Sequence, residues 1–278
     1  MARLRFTKMH GIGNDYVYVD CFVQRVADPA SLARRVSPRR TAVGSDGVIL
    51  ICPSQVADCR MEMYNADGSR GEMCGNGIRC VGKYVYDHGL VPKDILRVET
   101  DGGIKVLQLQ IAAGRVQAVT VDMGEPILDG PGIPVAAEGR VVNAPLDVDG
   151  QTYGITCVSM GNPHCVVFLA EVDDLAVEQI GPRFEHHPFF PKRVNTEFVK
   201  VISRSQLRMR VWERGSGETA ACGTGACAAL VAAVLNDKSD RRALLRLNGG
   251  DLEIEWRADH HVFMTGSAEE VFSGEIEL

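Results

Sequence analysis

The chain has 278 residues, 45% hydrophobic and 24% charged, enough for one large domain or two of ordinary size in a soluble globular protein. Its formal charge of −6, with a single short basic cluster at 33–40, speaks against a nucleic-acid partner, because phosphate backbones are held by grouped Lys and Arg. Nine scattered cysteines, with no CxxC or HxxxH spacing in the chain, speak against a disulfide framework and against a bound metal.

In chain order, "MARLRFTKMHG" at 1–11 lacks the apolar centre of a signal peptide, and the longest apolar run, Ala226–Leu235, is too short to span a bilayer. A cytoplasmic protein with no membrane partner is therefore expected. "DYVYVDCF" (15–22) predicts a strand, and the basic stretch "ARRVSPRR" (33–40) a solvated helix end and turn. Strands are predicted at 48–52 and 60–64. "MCGNGIRC" (73–80) then sets a thiol before a glycine-flanked turn and a helix, Ile78 to His88, that closes at "DHG" (87–89). Strands at 104–112 and 115–122 lead to "GEPILDGPG" (124–132), where clustered Gly and Pro mark a boundary. Beyond it come "HCVVFLA" (164–170) and strands at 196–203 and 207–212. "ACGTGACA" (221–228) opens the helix "ACAALVAAVL", which ends at "NDK" (236–238) and is apolar almost all round, as a helix wrapped by its own sheet would be. Strands at 244–247, 252–257 and 261–265 follow.

Cys74, Gly75 and Gly77 recur 148 residues later as Cys222, Gly223 and Gly225, and the same offset carries Gly13-Asn14 onto Gly161-Asn162. Two separated motifs with one spacing predict an internal duplication. The expected fold is α+β, with two pseudo-symmetric halves, each a curled, mainly antiparallel, barrel-like sheet around a central helix. The first half spans 1–125, with a strand at about 267–278 returning to it; the second spans 126–266, and the active site lies in the cleft between them.

A helix start presents unpaired N–H groups and partial positive charge, so two such starts can grip a carboxylate. The same field is expected to lower the pKa of each preceding thiol. Two thiols and a held carboxylate fit removal of an amino acid's α-proton on one face and its return on the other, with no Lys context for pyridoxal phosphate. A dithiol redox protein and a non-catalytic binding module are the readings from other classes.

The flanking segments "KMHGIGNDYVYVD" (8–20), "YNADGSRGEMCGNGIRC" (64–80), "SMGNPHCVVF" (159–168), "RVNTEFV" (193–199) and "WERGSGETAACGTGACA" (212–228) closely resemble diaminopimelate epimerases, in order along nearly the whole chain. The resemblance implies a cofactor-independent isomerase that converts LL-diaminopimelate to the meso isomer for lysine and peptidoglycan precursors, and a homodimer. It assigns Cys74 and Cys222 as the two bases, and Gly75-Asn76 and Gly223-Thr224 as donors to the reacting carboxylate. Asn14, Asn65, Asn162, Asn195, Glu213 and Arg214 bind substrate, while His164 and Glu213 tune the thiols. Many members carry Gln where "GSDGVIL" (44–50) has Gly47, so the grip of the first half is expected to be one side chain poorer. A racemase of the same fold acting on proline, hydroxyproline or histidine is the nearest rival.

Overall fold

In strands β4 (Cys59–Asn65), β13 (Gln206–Glu213) and β16 (Asp251–Trp256), buried Cys, Leu, Ile, Met or Val alternates with more exposed, mostly charged residues, so each strand buries one face. The computed structural model describes residues 3–277, and these divide into two compact units. One comprises the described parts of Met1–Val121 and Gly266–Leu278; the other is Asp122–Thr265.

The first unit contains β1 (Arg3–Gly11), β2 (Asn14–Asp20), α1 (Pro29–Val36), β3 (Gly47–Cys52), β4, β5 (Arg70–Gly71), α2 (Gly75–Asp87), β6 (Ile95–Thr100), β7 (Gly103–Ala112), most of β8 (Arg115–Gly124) and, from the far end of the chain, β18 (Glu269–Glu277). Its strands pair in the order β18-β1-β2-β3-β4-β6-β7-β8, with β5 hydrogen-bonded to β4. The second unit contains β9 (Ala144–Val148), β10 (Gln151–Ser159), β11 (Pro163–Phe168), α3 (Val177–Glu185), β12 (Asn195–Ser203), β13, β14 (Gly217–Glu218), α4 (Gly223–Leu235), β15 (Arg242–Arg246), β16 and β17 (Val262–Gly266). Its order is β9-β10-β11-β12-β13-β15-β16-β17, with β14 on β13.

The two orders match strand for strand, with β18 standing where β9 stands, and the match extends to single residues. Val17 pairs with Val48 as Cys165 pairs with Thr196, each 148 further on, and Tyr64 pairs with Arg70 as Trp212 pairs with Glu218. Antiparallel pairs predominate. Parallel pairs occur at β2–β3, β4–β6, β11–β12 and β13–β15, so each sheet is mixed rather than a closed barrel.

Each unit has an inner and an outer helix. The outer helices cross over between parallel neighbours: α1 buries Leu32, Ala33 and Val36 against Val17, Val48 and Leu50, and α3 buries Phe184 beside Phe198. The inner helices begin three residues earlier than their apolar runs suggest, because Cys74 and Cys222 act as N-caps, each sulfur accepting a hydrogen bond from the N–H three residues on. In α4 the small residues Ala226, Ala228, Ala229, Ala232 and Ala233 let strands β10 to β13, β15 and β16 all contact it. In α2 polar groups enter the core in pairs: Lys83 donates to the nearly buried Asp87 at 2.8 Å and to Val116 O at 2.7 Å. Four α-helices are present among the described residues, and none is long and apolar enough to cross a membrane.

Candidate active site

In the first unit the half-buried Cys74 caps α2, accepting from the Gly77 N–H at 3.3 Å and donating to Asn14 Oδ1 at 3.1 Å. Asn14 is held in turn, its Nδ2 donating to Asp46 Oδ2 at 2.7 Å, and the same oxygen takes the Asp15 N–H at 3.1 Å. Arg39 closes the group by binding Asp15 and Asp46 at 2.6 and 2.7 Å. Tyr16, buried behind the thiol, reaches Asn14 and Cys74 with its hydroxyl; burial first and the Cys74 charge second push that hydroxyl well above its usual range. Asn76 is buried, with its Oδ1 accepting from the fully buried Arg79 at 2.9 Å.

Asn65 and Gly47 sit opposite each other in the β3–β4 ladder, and the Asn65 amide donates to Ser69 Oγ at 2.9 Å within its own turn. Gly47 has a spatial reason. A Cβ there would lie 2.0 Å from the backbone oxygen of Tyr64, so any other residue must displace β4.

The second unit places a more charged set around its thiol. Cys222 is buried, takes the Gly225 N–H at 3.4 Å, and lies 3.5 Å from Thr224 Oγ1. Glu213 is within hydrogen-bond reach of that thiol and accepts a short bond from Thr219; desolvation raises its carboxyl above the usual range. His164, fully buried, bonds Glu197 Oε1 through Nδ1 at 2.7 Å and Asn162 Oδ1 through Nε2 at 2.9 Å. Asn195 bridges Pro163 O at 3.1 Å and the Arg214 N–H at 2.8 Å, which fixes the start of the Arg214 turn.

The thiol expectation needs a correction at Cys222. Its pKa is raised well above the ordinary thiol value, by burial first and then by the negative charges of Glu213 and Glu197; the Gly225 N–H and Thr224 lower it by less. A helix start stabilises a thiolate only where desolvation and carboxylates do not outweigh it. Here they do, and Cys222 holds its proton.

Sequence reasoning missed Glu197, Tyr16 and the Asp15–Arg39–Asp46 cluster. The same 148-residue offset relates Tyr16 to His164 and Ile49 to Glu197, so the second unit carries an imidazole and a carboxylate where the first carries a phenol and an alkyl chain. Glu197 was detectable, because in "NTEFV" a carboxylate shares period-two parity with Asn195 inside an otherwise buried, largely apolar strand. His164 hydrogen-bonds Glu197 and Asn162, and it acts on Glu213 through charge. Among the described residues no three His, Cys, Asp or Glu side chains gather as a metal site.

The family model for diaminopimelate epimerase matches residues 6–128 and 156–271. Proteins named diaminopimelate epimerase from Acetivibrio thermocellus and Desulfovibrio desulfuricans are 57% and 59% identical to the chain, covering 99% and 98% of it and the same shares of their own lengths. The chain belongs to the diaminopimelate epimerase family. The fold is shared more widely: a solved hydroxyproline epimerase from Agrobacterium vitis superposes with a TM-score of 0.70 at 16% identity, covering 99% of this chain and 92% of that one. Within the diaminopimelate epimerase family match fall both capped thiols and every polar group described around them.

Proposed function

We propose that the chain is a diaminopimelate epimerase, converting LL-2,6-diaminopimelate to the meso isomer by two-base exchange without a cofactor, in the synthesis of lysine and peptidoglycan precursors. The observation that carries this is the repeated capped thiol, Cys74 and Cys222 each at the start of an inner helix, in a chain 57% identical to a protein of that name. Cys222 supplies the proton, since burial and its two carboxylate neighbours keep it a thiol. Cys74 as thiolate takes the α-proton: the C–H bond breaks, an S–H bond forms, and the electron pair delocalises into the substrate carboxylate while the Cys222 proton adds to the opposite face. The N–H groups of Gly75, Asn76, Gly223 and Thr224 face that developing charge, each contributing about 3 kcal/mol by analogy with an oxyanion hole.

Asn14, Asn65, Asn162, Asn195, Glu213 and Arg214 recognise the two amino acid ends of the substrate, and Glu197 and His164 hold Asn162 in place. A cytoplasmic homodimer is the expected working form. Incubation with LL-diaminopimelate in deuterated water, without added cofactor, tests the reading: the native chain incorporates deuterium at the α-carbon and forms the meso isomer, whereas Cys74→Ala and Cys222→Ala form no meso isomer. Epimerisation by either variant at near-native rate would refute the two-base scheme.

A further inference from the structure

We propose that Cys21 and Cys52 form a reactive dithiol, separate from the Cys74 group, that closes reversibly to a disulfide by exchange with small disulfides. The parallel β2–β3 ladder pairs Asp20 with Ile51, and the Cys21 N–H continues it by donating to Ile51 O at 2.8 Å, so Cys21 and Cys52 are the next neighbours in register. Both side chains pack against the rim of the same apolar cluster, which puts them on one face of the sheet, each thiol close enough to act on the other. Neighbouring strands bring Cα atoms within the range a disulfide spans. Both residues are partly exposed, so a reagent can reach them.

A second cross-strand pair shows what exposure adds. Cys157 and Cys165 stand directly opposite in the β10–β11 ladder, but both are buried in the core beneath α3, where no reagent enters. At the exposed pair the two thiols are unequal. The neighbouring Cys52 thiol holds Cys21 below the usual thiol range against the opposing effect of burial, whereas Cys21, then burial and the Glu62 charge, push Cys52 far above it. Cys21 is thus the attacking sulfur and Cys52 the resolving one.

The exchange balances without further reagents. The Cys21 thiolate attacks one sulfur of a small disulfide such as oxidised glutathione, breaking its S–S bond and releasing one thiolate. Cys52 then gives up its proton and attacks Cys21 Sγ, releasing the second thiol. The protein dithiol is oxidised and the small disulfide is reduced to two thiols. Because β2 runs from Asn14 to Asp20, the pair lies about 20 Å along the strand from the Cys74 group.

The test is peptide mapping of the intact protein after oxidised glutathione, with remaining thiols alkylated, so the readout does not depend on epimerase activity. The native chain should yield joined Cys21 and Cys52 peptides that dithiothreitol separates. In Cys52→Ser the mixed disulfide should accumulate on Cys21, because no resolving thiol is left to release it. Recovery of both cysteines alkylated in the treated native protein, or joining of either one to a different cysteine, would overturn the proposal.

Discussion

Gly77 and Gly225 occupy equivalent positions in the two inner helices, yet Ala should be tolerated at one and not at the other. At 225 the added Cβ falls 2.6 Å from Glu197 Oε1 and 3.2 Å from Cys222 Sγ. Glu197 is fully buried, its Oε1 is committed to His164 at 2.7 Å, and its Oε2 has no hydrogen-bond partner, so the carboxylate has nowhere favourable to go. Weakening a bond to a charged group costs about 1.5–3 kcal/mol, and overpacking adds about 1–3 kcal/mol. Replacing Gly by Ala in a helix returns up to about 1 kcal/mol. The net loss is about 1.5–5 kcal/mol, or a fall in Tm of roughly 4–15 °C for a chain of this size. At 77 the Cβ meets Ile49 Cδ1 at 2.6 Å, the far end of an alkyl chain that can rotate away, and the helix gain offsets most of the cost. The Gly77→Ala variant should stay within about 1 kcal/mol of native, or roughly 3 °C. Thermal unfolding by circular dichroism measures both, and kcat/KM should fall more than tenfold in Gly225→Ala as the Glu197–His164 pair shifts, a loss of about 1.4 kcal/mol or more. Equal melting points for the two variants, or full activity in Gly225→Ala, would refute the account of the Glu197 site.

Glu197→Gln keeps the volume and an acceptor for His164 but removes one of the charges that raise Cys222, so the limb of the pH profile of kcat/KM set by that thiol should move to lower pH; a limb that stays or rises contradicts the electrostatic assignment. Gly47→Gln should not restore a substrate contact but should destabilise the first unit by more than about 3 kcal/mol, seen as lost soluble protein or a lowered Tm, because its Cβ collides with backbone. Burial pushes Asp15 up, but bonds from Arg39 and Lys8 outweigh it and leave the carboxyl below its usual 3.8. A depressed carboxyl stabilises above the unfolded pKa and loses that contribution as pH falls through the folded one, so Asp15→Asn should lower Tm at neutral pH and the gap should close as the medium is acidified below pH 3.8. A gap that is unchanged in acid would show that the Asp15 charge contributes nothing.

Much of this arrangement was legible because its signals are local. The period-two patterns of β4, β13 and β16 and the uniform apolarity of α4 follow from burying one face of a strand or all of a helix. The starts of α2 and α4 were read three residues late, because a sulfur cap carries no apolar signal and glycines mask helical character. Helix α3 was missed, with Pro182 inside it reading as a breaker. Strands β1, β6, β9 and β10 were missed as well; in β1, Lys8 lies buried in a strand only because Asp15 and Gly44 O satisfy its charge. At the site, the sequence-assigned residues come from their motifs, whereas Glu197 and Tyr16 stand inside the segments 193–199 and 8–20 with no role assigned to them there, and matter through what the fold places beside them. The fate of the Cys222 proton depends on burial, on Glu213 in the same segment and on Glu197 from a different strand, so the segment 212–228 alone does not record it.

The place that β9 fills in the second unit is filled in the first by β18, whose Ile276 pairs with Leu4 across almost the whole sequence. On the ribosome this inverts the usual order of maturation. Asp122–Thr265 is contiguous and can close as soon as β17 emerges, while residues made long before it, including the strand that carries Asn14, wait with one flank of β1 open until the last strand is released. That exposed flank is an unpaired edge of the kind other chains can join, and the interval ends only when β18 arrives to cover it.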